Sequence, residues 1–396
     1  MTEARDVVRL YRSDVRAARF RVGRRTRVTP VFHTEVAGPR GPVAVTFKLE
    51  YLQYGGTFKA RGSLNALLQN RGDDRPVVMA SGGNAGIAAA LACAVQQRPC
   101  TVVVPESAPH TKVAAMWAYG AEVLWHGTSY AEARTCADRL AVERAALQLH
   151  AYDLPAVVAG AGVIGLEIER QVRGRPPVLA AVGGGGLASG IAAALGRRGH
   201  VVGVEPKGAA TLHSARAAGR PVDVHINSIA GDALGASRIG AIAWDIAQRY
   251  RMSSVLVTDD AIAMAREYLW REFRIVVEPA GATALAAIQS GAYVPEPGQR
   301  PVIVLCGANT ELSTLGGVPG IHNPDVGPQK RIRLWRQRDR SARLGRVPRT
   351  GPMAVRGTAG TSVHERVARG VGISKYRRFF EGEACTRRIR LSSAPS

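Results

Sequence analysis

The sequence predicts a parallel α/β fold in two domains, followed by a basic tail without regular structure. Short β-branched runs alternate with alanine-rich helical stretches, the runs are apolar almost without interruption, and the composition changes near residue 320. Alternating strand and helix builds parallel sheets, because each parallel strand needs a crossover to bring the chain back. Continuous Val and Leu, in place of an in-out alternation, means that both faces of a sheet are covered.

The strands fall at 43–49, 77–80, 100–104, 122–125, 178–182, 201–204 and 302–305, with helices such as 85–96 and 131–148 between them. At 396 residues, 46% of them hydrophobic, the chain is long enough for two modest cores. A smaller domain over 50–150 is expected to interrupt a larger one built from 1–49 and 151–318, with 319–396 as the tail. From residue 321 onward the chain holds 18 Lys and Arg against 5 Asp and Glu, so most of the formal net charge of +22 belongs to the appendage. With many Gly, Pro, Ser and Thr and no regular apolar spacing, the tail reads as mostly disordered. With the charge placed mainly there, a nucleic-acid partner is not expected, although a non-catalytic or nucleic-acid-associated binder using the basic tail is the alternative from another class.

Five cysteines, at 93, 100, 136, 306 and 385, form no CxxC pair and are odd in number, which argues against a disulfide frame or zinc ribbon and for a reduced, cytoplasmic setting. The start, Met1-Thr2-Glu3-Ala4-Arg5-Asp6, mixes both charge signs and leads into no apolar run, so neither a secretion signal nor a membrane partner is expected.

Four strings carry the chemistry. Phe58-Lys59-Ala60-Arg61-Gly62 opens a helix behind a Gly55-Gly56 turn, and an amine near a positive helix end and partly buried has a depressed pKa. Ser81-Gly82-Gly83-Asn84-Ala85-Gly86 joins a strand to a helix, which aims backbone amides at a ligand above the sheet but equally suits a tight turn with an Asn cap. Gly183, Gly184, Gly185 and Gly186 sit between a strand and the helix of Leu187 and Ser189, leaving amides open to a phosphate. The Lys-Ser/Thr end of a nucleotide P-loop is missing, while Glu205 after the next strand keeps a dinucleotide site open. Cys306-Gly307-Ala308-Asn309 ends the last strand with a thiol that by itself would be an inert core residue.

Taken in order over about residues 25–318, these strings resemble the fold type II pyridoxal-phosphate family, with its tryptophan synthase β-like architecture, and within it the serine/threonine dehydratases. Further landmarks of the resemblance are Thr26-Arg27-Val28-Thr29-Pro30, Lys48-Leu49-Glu50, 162–167, Val204-Glu205-Pro206 and Val277-Glu278-Pro279-Ala280-Gly281. The resemblance implies that Lys59 holds pyridoxal 5'-phosphate as an imine, that Phe58 packs on the ring and Asn84 meets its oxygen, and that the four glycines with Leu187 seat the phosphate. It further places Cys306 at the pyridine nitrogen and the substrate against Ser81, Gly82, Gly83 and Asn84. The implied reaction is β-elimination from L-serine or L-threonine, giving pyruvate or 2-oxobutyrate and ammonia, in a homodimer.

A neutral thiol cannot keep the pyridine protonated, so the ring is a weaker electron sink and prompt loss of a β-leaving group suits it better than transamination. Racemisation and β-replacement are the rival chemistries. Similar racemases place a serine two positions before the asparagine, where this chain has Gly82; Ser81 stands beside it. The Val204-Glu205-Pro206 string resembles the family's metal-binding turn, which implies a cation site at Glu205, the carbonyl of Ala209 and Thr211, and one formal negative charge suits potassium there better than a divalent ion. Against the family pattern, no serine precedes Phe58, Ala161 replaces a common glutamine, and no compact regulatory domain follows Gly316.

Overall fold

The computed structural model describes residues 9–69 and 72–315; the tail expected at 319–396 lies outside the described residues. Ten strands make two sheets. The larger contains β1 (Val31–Gly38), β2 (Gly41–Lys48), β7 (Val178–Ala181), β8 (Val201–Pro206), β9 (Ser253–Val257) and β10 (Val302–Val304), in the order β1-β2-β10-β7-β8-β9. The smaller contains β3 (Val77–Ala80), β4 (Cys100–Val104), β5 (Glu122–Trp125) and β6 (Leu147–Gln148), in the order β5-β4-β3-β6. All pairs are parallel except β1 with β2, a hairpin that sets Val31 opposite Lys48.

Helices cover both faces of each sheet. The chain runs through α1 (Arg12–Val22), α2 (Lys59–Gln69), α3 (Asn84–Gln96), α4 (His110–Ala118), α5 (Tyr130–Glu143) and α6 (Pro155–Gln171). It continues through α7 (Gly186–Leu195), α8 (Thr211–Ala218), α9 (Gly231–Leu234), α10 (Ala241–Arg249), α11 (Asp259–Phe273) and α12 (Pro279–Gln289). On the larger sheet, α1, α6, α7 and α10 share one core, and α11 and α12 share the other. On the smaller sheet, α2, α3 and α4 pack on one face and α5 on the other. Central strands β3, β4, β7 and β10 are buried at every residue, which is why they read as unbroken apolar runs. No helix among the described residues is long and apolar enough to cross a membrane.

The differences from the sequence reading lie at sheet edges. β1 is antiparallel and largely solvent-facing, so its mixed Phe-His-Thr-Glu pattern carried no apolar run to find. β9, a parallel edge strand, is only half-buried over most of its length and opens on two serines, which leaves Val255-Leu256-Val257 as a short apolar run. The helix expected over 131–148 ends at Glu143, and Leu147 and Gln148 join the edge of the small sheet beside β3. Its stop is Ala145 at φ 46°, a left-handed turn made without the glycine that normally signals one.

One buried ion cluster ties these elements together. Arg61 of α2 donates from Nε and Nη2 to Glu50 at 2.9 Å each, and from Nη1 to Glu167 of α6 at 2.7 Å. Lys48, at the end of β2, donates to Glu167 at 2.6 Å, to the Thr29 carbonyl at 2.7 Å and to Gln171 at 2.9 Å, while the Thr29 hydroxyl donates to Glu50. Burial pushes the Glu50 carboxyl up, but Arg61 beside it outweighs that effect and holds it below its ordinary value. Two cations and two anions, all buried, thus neutralise one another two residues from Lys59.

Removing one member of such a cluster strands a charge, which costs about 3–5 kcal/mol. Arg61→Met is therefore expected to lower the thermal unfolding midpoint sharply, and Arg61→Lys to recover only part of the loss, since one ammonium cannot reproduce a two-sided fork. An unchanged midpoint in Arg61→Met would show that the cluster is not what secures α2.

Candidate active site

A cavity of about 350 Å³ is lined by Phe58, Lys59, the 81–85 turn, the four consecutive glycines and Cys306. The four strings, far apart in the sequence, meet at its walls.

Lys59 is the first residue of α2. Gly55 and Gly56, at φ 71° and 67°, make the turn before it in a left-handed conformation that side chains resist, and a Cβ on Gly56 would stand 2.7 Å from Asn309 Oδ1. The Phe58 amide donates to the Cys306 carbonyl at 3.1 Å, so lysine and thiol are set by one backbone bond. Lys59 Nζ makes a single long bond, 3.3 Å to the Ala151 carbonyl. Burial, with a smaller push from Lys112, lowers its pKa to about 8 against the pull of Cys306 and Glu278.

Asn84 opens α3, and its amide is held on both sides. Nδ2 donates to Glu278 Oε1 at 2.5 Å, and Oδ1 accepts from Asn309 Nδ2 at 2.8 Å. Ser81 Oγ accepts from the Gly83 amide at 3.2 Å, in the manner of a turn cap. A Cβ on Gly82 would come within 2.7 Å of Ala108 Cβ, and one on Gly83 within 3.1 Å of the Asp232 carbonyl.

The glycine loop follows β7 and leads into α7. Gly185 has φ 87°, a Cβ on Gly183 would lie 2.9 Å from Leu234, and one on Gly184 would lie 2.3 Å from the Tyr152 ring. Gly186 meets the Tyr152 backbone and Leu187 is buried beside it. Ser189, one turn into α7, has a buried hydroxyl with no hydrogen-bond partner among the described residues. Cys306 is 3% exposed and donates to the Ala280 carbonyl at 3.5 Å; burial and the nearby Glu278 push its thiol up, so it stays neutral.

These features fit pyridoxal phosphate. The loop has room for backbone amides and nothing else, the positive end of α7 points at it, and the orphaned Ser189 hydroxyl is buried in the first turn of that helix. A lysine whose amine is half neutral near pH 8 faces the same space.

Glu205, Ala209 and Thr211 are all buried at the end of β8. Glu205 accepts from the amides of Leu212 at 2.7 Å and His213 at 2.9 Å and from Ser254 Oγ at 2.7 Å, so it caps α8. Thr211 Oγ1 donates to the Gly183 carbonyl at 2.5 Å, which links this corner to the glycine loop. No group of three His, Cys, Asp or Glu side chains is placed for a metal among the described residues.

Sequence reasoning missed two residues of the wall and one buried behind it. Tyr152 packs over Gly184, and Asp232 lies across from it on α9. Lys112, buried on α4, pairs with Asp232 at 2.7 Å and with Glu278 at 3.1 Å. Glu278 and Asn309 stood inside landmark strings, but Lys112 sits in an ordinary helix with nothing to mark it.

Residues 23–307 match the family of pyridoxal-phosphate dependent enzymes, and the chain belongs to that family. Its fold is the type II architecture of these enzymes. Among curated relatives, it is 34% identical over 75% of its length to the L-threonine ammonia-lyase of Geobacter sulfurreducens, 75% of which is covered. It is also 31% identical over 72% of its length to the serine racemase of Arabidopsis thaliana, 89% of which is covered. Among solved structures, the threonine deaminase of tomato, Solanum lycopersicum, in its processed isoform 2, superposes with a TM-score of 0.70 at 29% identity, over 77% of this chain and 92% of that one. Maize serine racemase gives 0.71 at 26% identity, over 83% and 99%.

An ordinary lysine is half neutral near pH 10.4, so Lys59 reaches its nucleophilic form at much lower pH. Reductive labelling of the cofactor-free protein with a small aldehyde should therefore modify Lys59 with a midpoint near pH 8. A midpoint at Lys59 in the ordinary lysine range, read by peptide mass mapping, would show that the cavity does not activate it.

Proposed function

We propose that this protein eliminates water from L-serine or L-threonine and releases ammonia and a 2-oxo acid, with residues 50–150 as the smaller of two domains. The observation that carries the reading is Gly82. Inverting Cα needs a second base on the face opposite Lys59, and at Gly82 there is neither a side chain nor space for one against Ala108. The similarity to threonine ammonia-lyase supports elimination, and that to serine racemases makes racemisation the competing outcome to test.

When bound, pyridoxal phosphate supplies an aldehyde for amine exchange and a ring that takes up electron density from Cα. Lys59 is the residue that holds the aldehyde and then moves the Cα proton. The amides of Gly183, Gly184, Gly185 and Gly186, with the Ser189 hydroxyl, would hold the phosphate, and Leu187 and Phe58 would fill the apolar sides of the ring. Asn84 would meet the ring oxygen, and the neutral Cys306 thiol would leave the pyridine nitrogen unprotonated. The 81–84 turn is the seat for the substrate carboxylate. Loss of the β-hydroxyl as water leaves an enamine, which hydrolyses to the 2-oxo acid and ammonia.

Burial pushes the Glu205 carboxyl up to about 7, and a potassium ion beside it, Ala209 and Thr211 would offset that cost. Turnover should then rise in potassium over a bulky organic cation and survive a chelator of divalent ions. Restoration by magnesium after exhaustive chelation would overturn the monovalent assignment.

With L-serine or L-threonine, the holoenzyme should form keto acid and ammonia while little D-isomer accumulates. Chiral analysis of the residual substrate decides the matter: D-serine appearing faster than pyruvate would make the protein a racemase.

A further inference from the structure

Lys112 takes no part in the proposed reaction, yet it stands directly behind Asn84. It is the third residue of α4 and 2% exposed, and α4 packs through Val113 and Met116 onto the small sheet. Its ammonium donates to Glu278 Oε2 at 3.1 Å and to Asp232 Oδ2 at 2.7 Å. Glu278, 1% exposed, takes the Asn84 amide on its other oxygen at 2.5 Å. The contacts therefore run from Lys112 through Glu278 to Asn84 and so into the cavity.

The direction of these bonds fixes the Asn84 amide. Turning it over would put Oδ1 against a carboxylate and Nδ2 against the N–H of Asn309. In the orientation these partners allow, the second hydrogen of Nδ2 remains for a ligand oxygen. This holds only while Glu278 is an acceptor on both oxygens, and a buried carboxylate keeps its charge only beside a cation or several donors. Lys112 is the one ion-pair partner of Glu278 among the described residues.

We propose that Lys112 is a positioning residue for the cofactor: it keeps Glu278 a carboxylate, which holds the Asn84 amide with its nitrogen turned to the cofactor's ring oxygen. Through Asp232 it joins the same support to the α9 wall of the cavity. The proposal rests on reading the cavity as a pyridoxal-phosphate site, but not on which reaction follows. Around Glu278, burial favours the neutral acid and holds the carboxyl above its ordinary range, and the Lys112 ammonium limits that rise; Asp232 adds to the first effect, while Lys59, Cys306 and Arg266 of α11 also interact with the group. Without Lys112, a proton on Glu278 would remove the acceptor that orients Asn84.

The test is a pH titration of the visible band of the holoenzyme, with cofactor affinity measured by dialysis. Lys112→Met is expected to bind pyridoxal phosphate about tenfold more weakly, the worth of one hydrogen bond, and to gain a band shift that follows pH above the ordinary carboxylate range and that the parent lacks. Lys112→Arg keeps the charge and should keep the parent band. Lys112→Met with Glu278→Gln removes acid and cation together and should lose the pH dependence again. A Lys112→Met holoenzyme with the parent's band and affinity overturns the proposal, as does a double variant that titrates like the single one. If Lys112→Met does not fold, Lys112→Arg and the double variant decide, and a titrating band in either overturns it. A parent protein that takes up no pyridoxal phosphate overturns the site reading together with this proposal, whereas the other results overturn this proposal alone.

Discussion

Arg61 lies two residues beyond Lys59 with its guanidinium shared between Glu50 and Glu167, and Lys48 completes the charge balance. Those four residues come from β2, the turn after it, α2 and α6, so the cluster joins the elements that surround the reactive amine. A well-packed apolar replacement could be equally stable, because burying ions is costly in itself. What charged groups add here is direction: a fork with two carboxylates has one geometry, and α2 can begin only where that geometry is met. Lys48-Leu49-Glu50, Arg61 and Glu167 are landmarks of the sequence for this structural reason, and none of them reaches the cavity.

The cavity itself is built on the opposite principle, with polar groups left short of partners. Lys59 has one long bond, Ser189 Oγ has none, and the glycine loop offers amides with no side chains of its own to cover them. Groups held ready in this way lower the cost of arranging a site when its ligand arrives. The contrast with the saturated ion cluster runs along a single helix, α2, whose first residue lines the cavity with one long bond and whose third is fully satisfied.

The strands most legible in the sequence were the central ones, although the edge strand β5 also has the limits read for it. β3 and β4 have the limits read from their Val-rich runs, since burial on both faces leaves a signal in every residue. The hairpin strand β1 and the edge strands β6 and β9 were not legible, because half-exposed residues carry mixed polarity and their pairing is decided by neighbours far along the chain. The glycine loop and Lys59 were legible for a related reason: backbone approach to a phosphate and an amine at a helix start each demand particular residue types at fixed spacing.

The sequence by itself determined the class of fold and the family, and it singled out the lysine and the glycine loop that the fold brings to one cavity, since each is a local pattern or an ordered set of patterns. Only the tertiary structure decided that Asn84 is held between Glu278 and Asn309 and that Lys112 stands behind them. Such contacts join residues up to 225 positions apart and depend on where two sheets meet, so no local pattern of residue types encodes them.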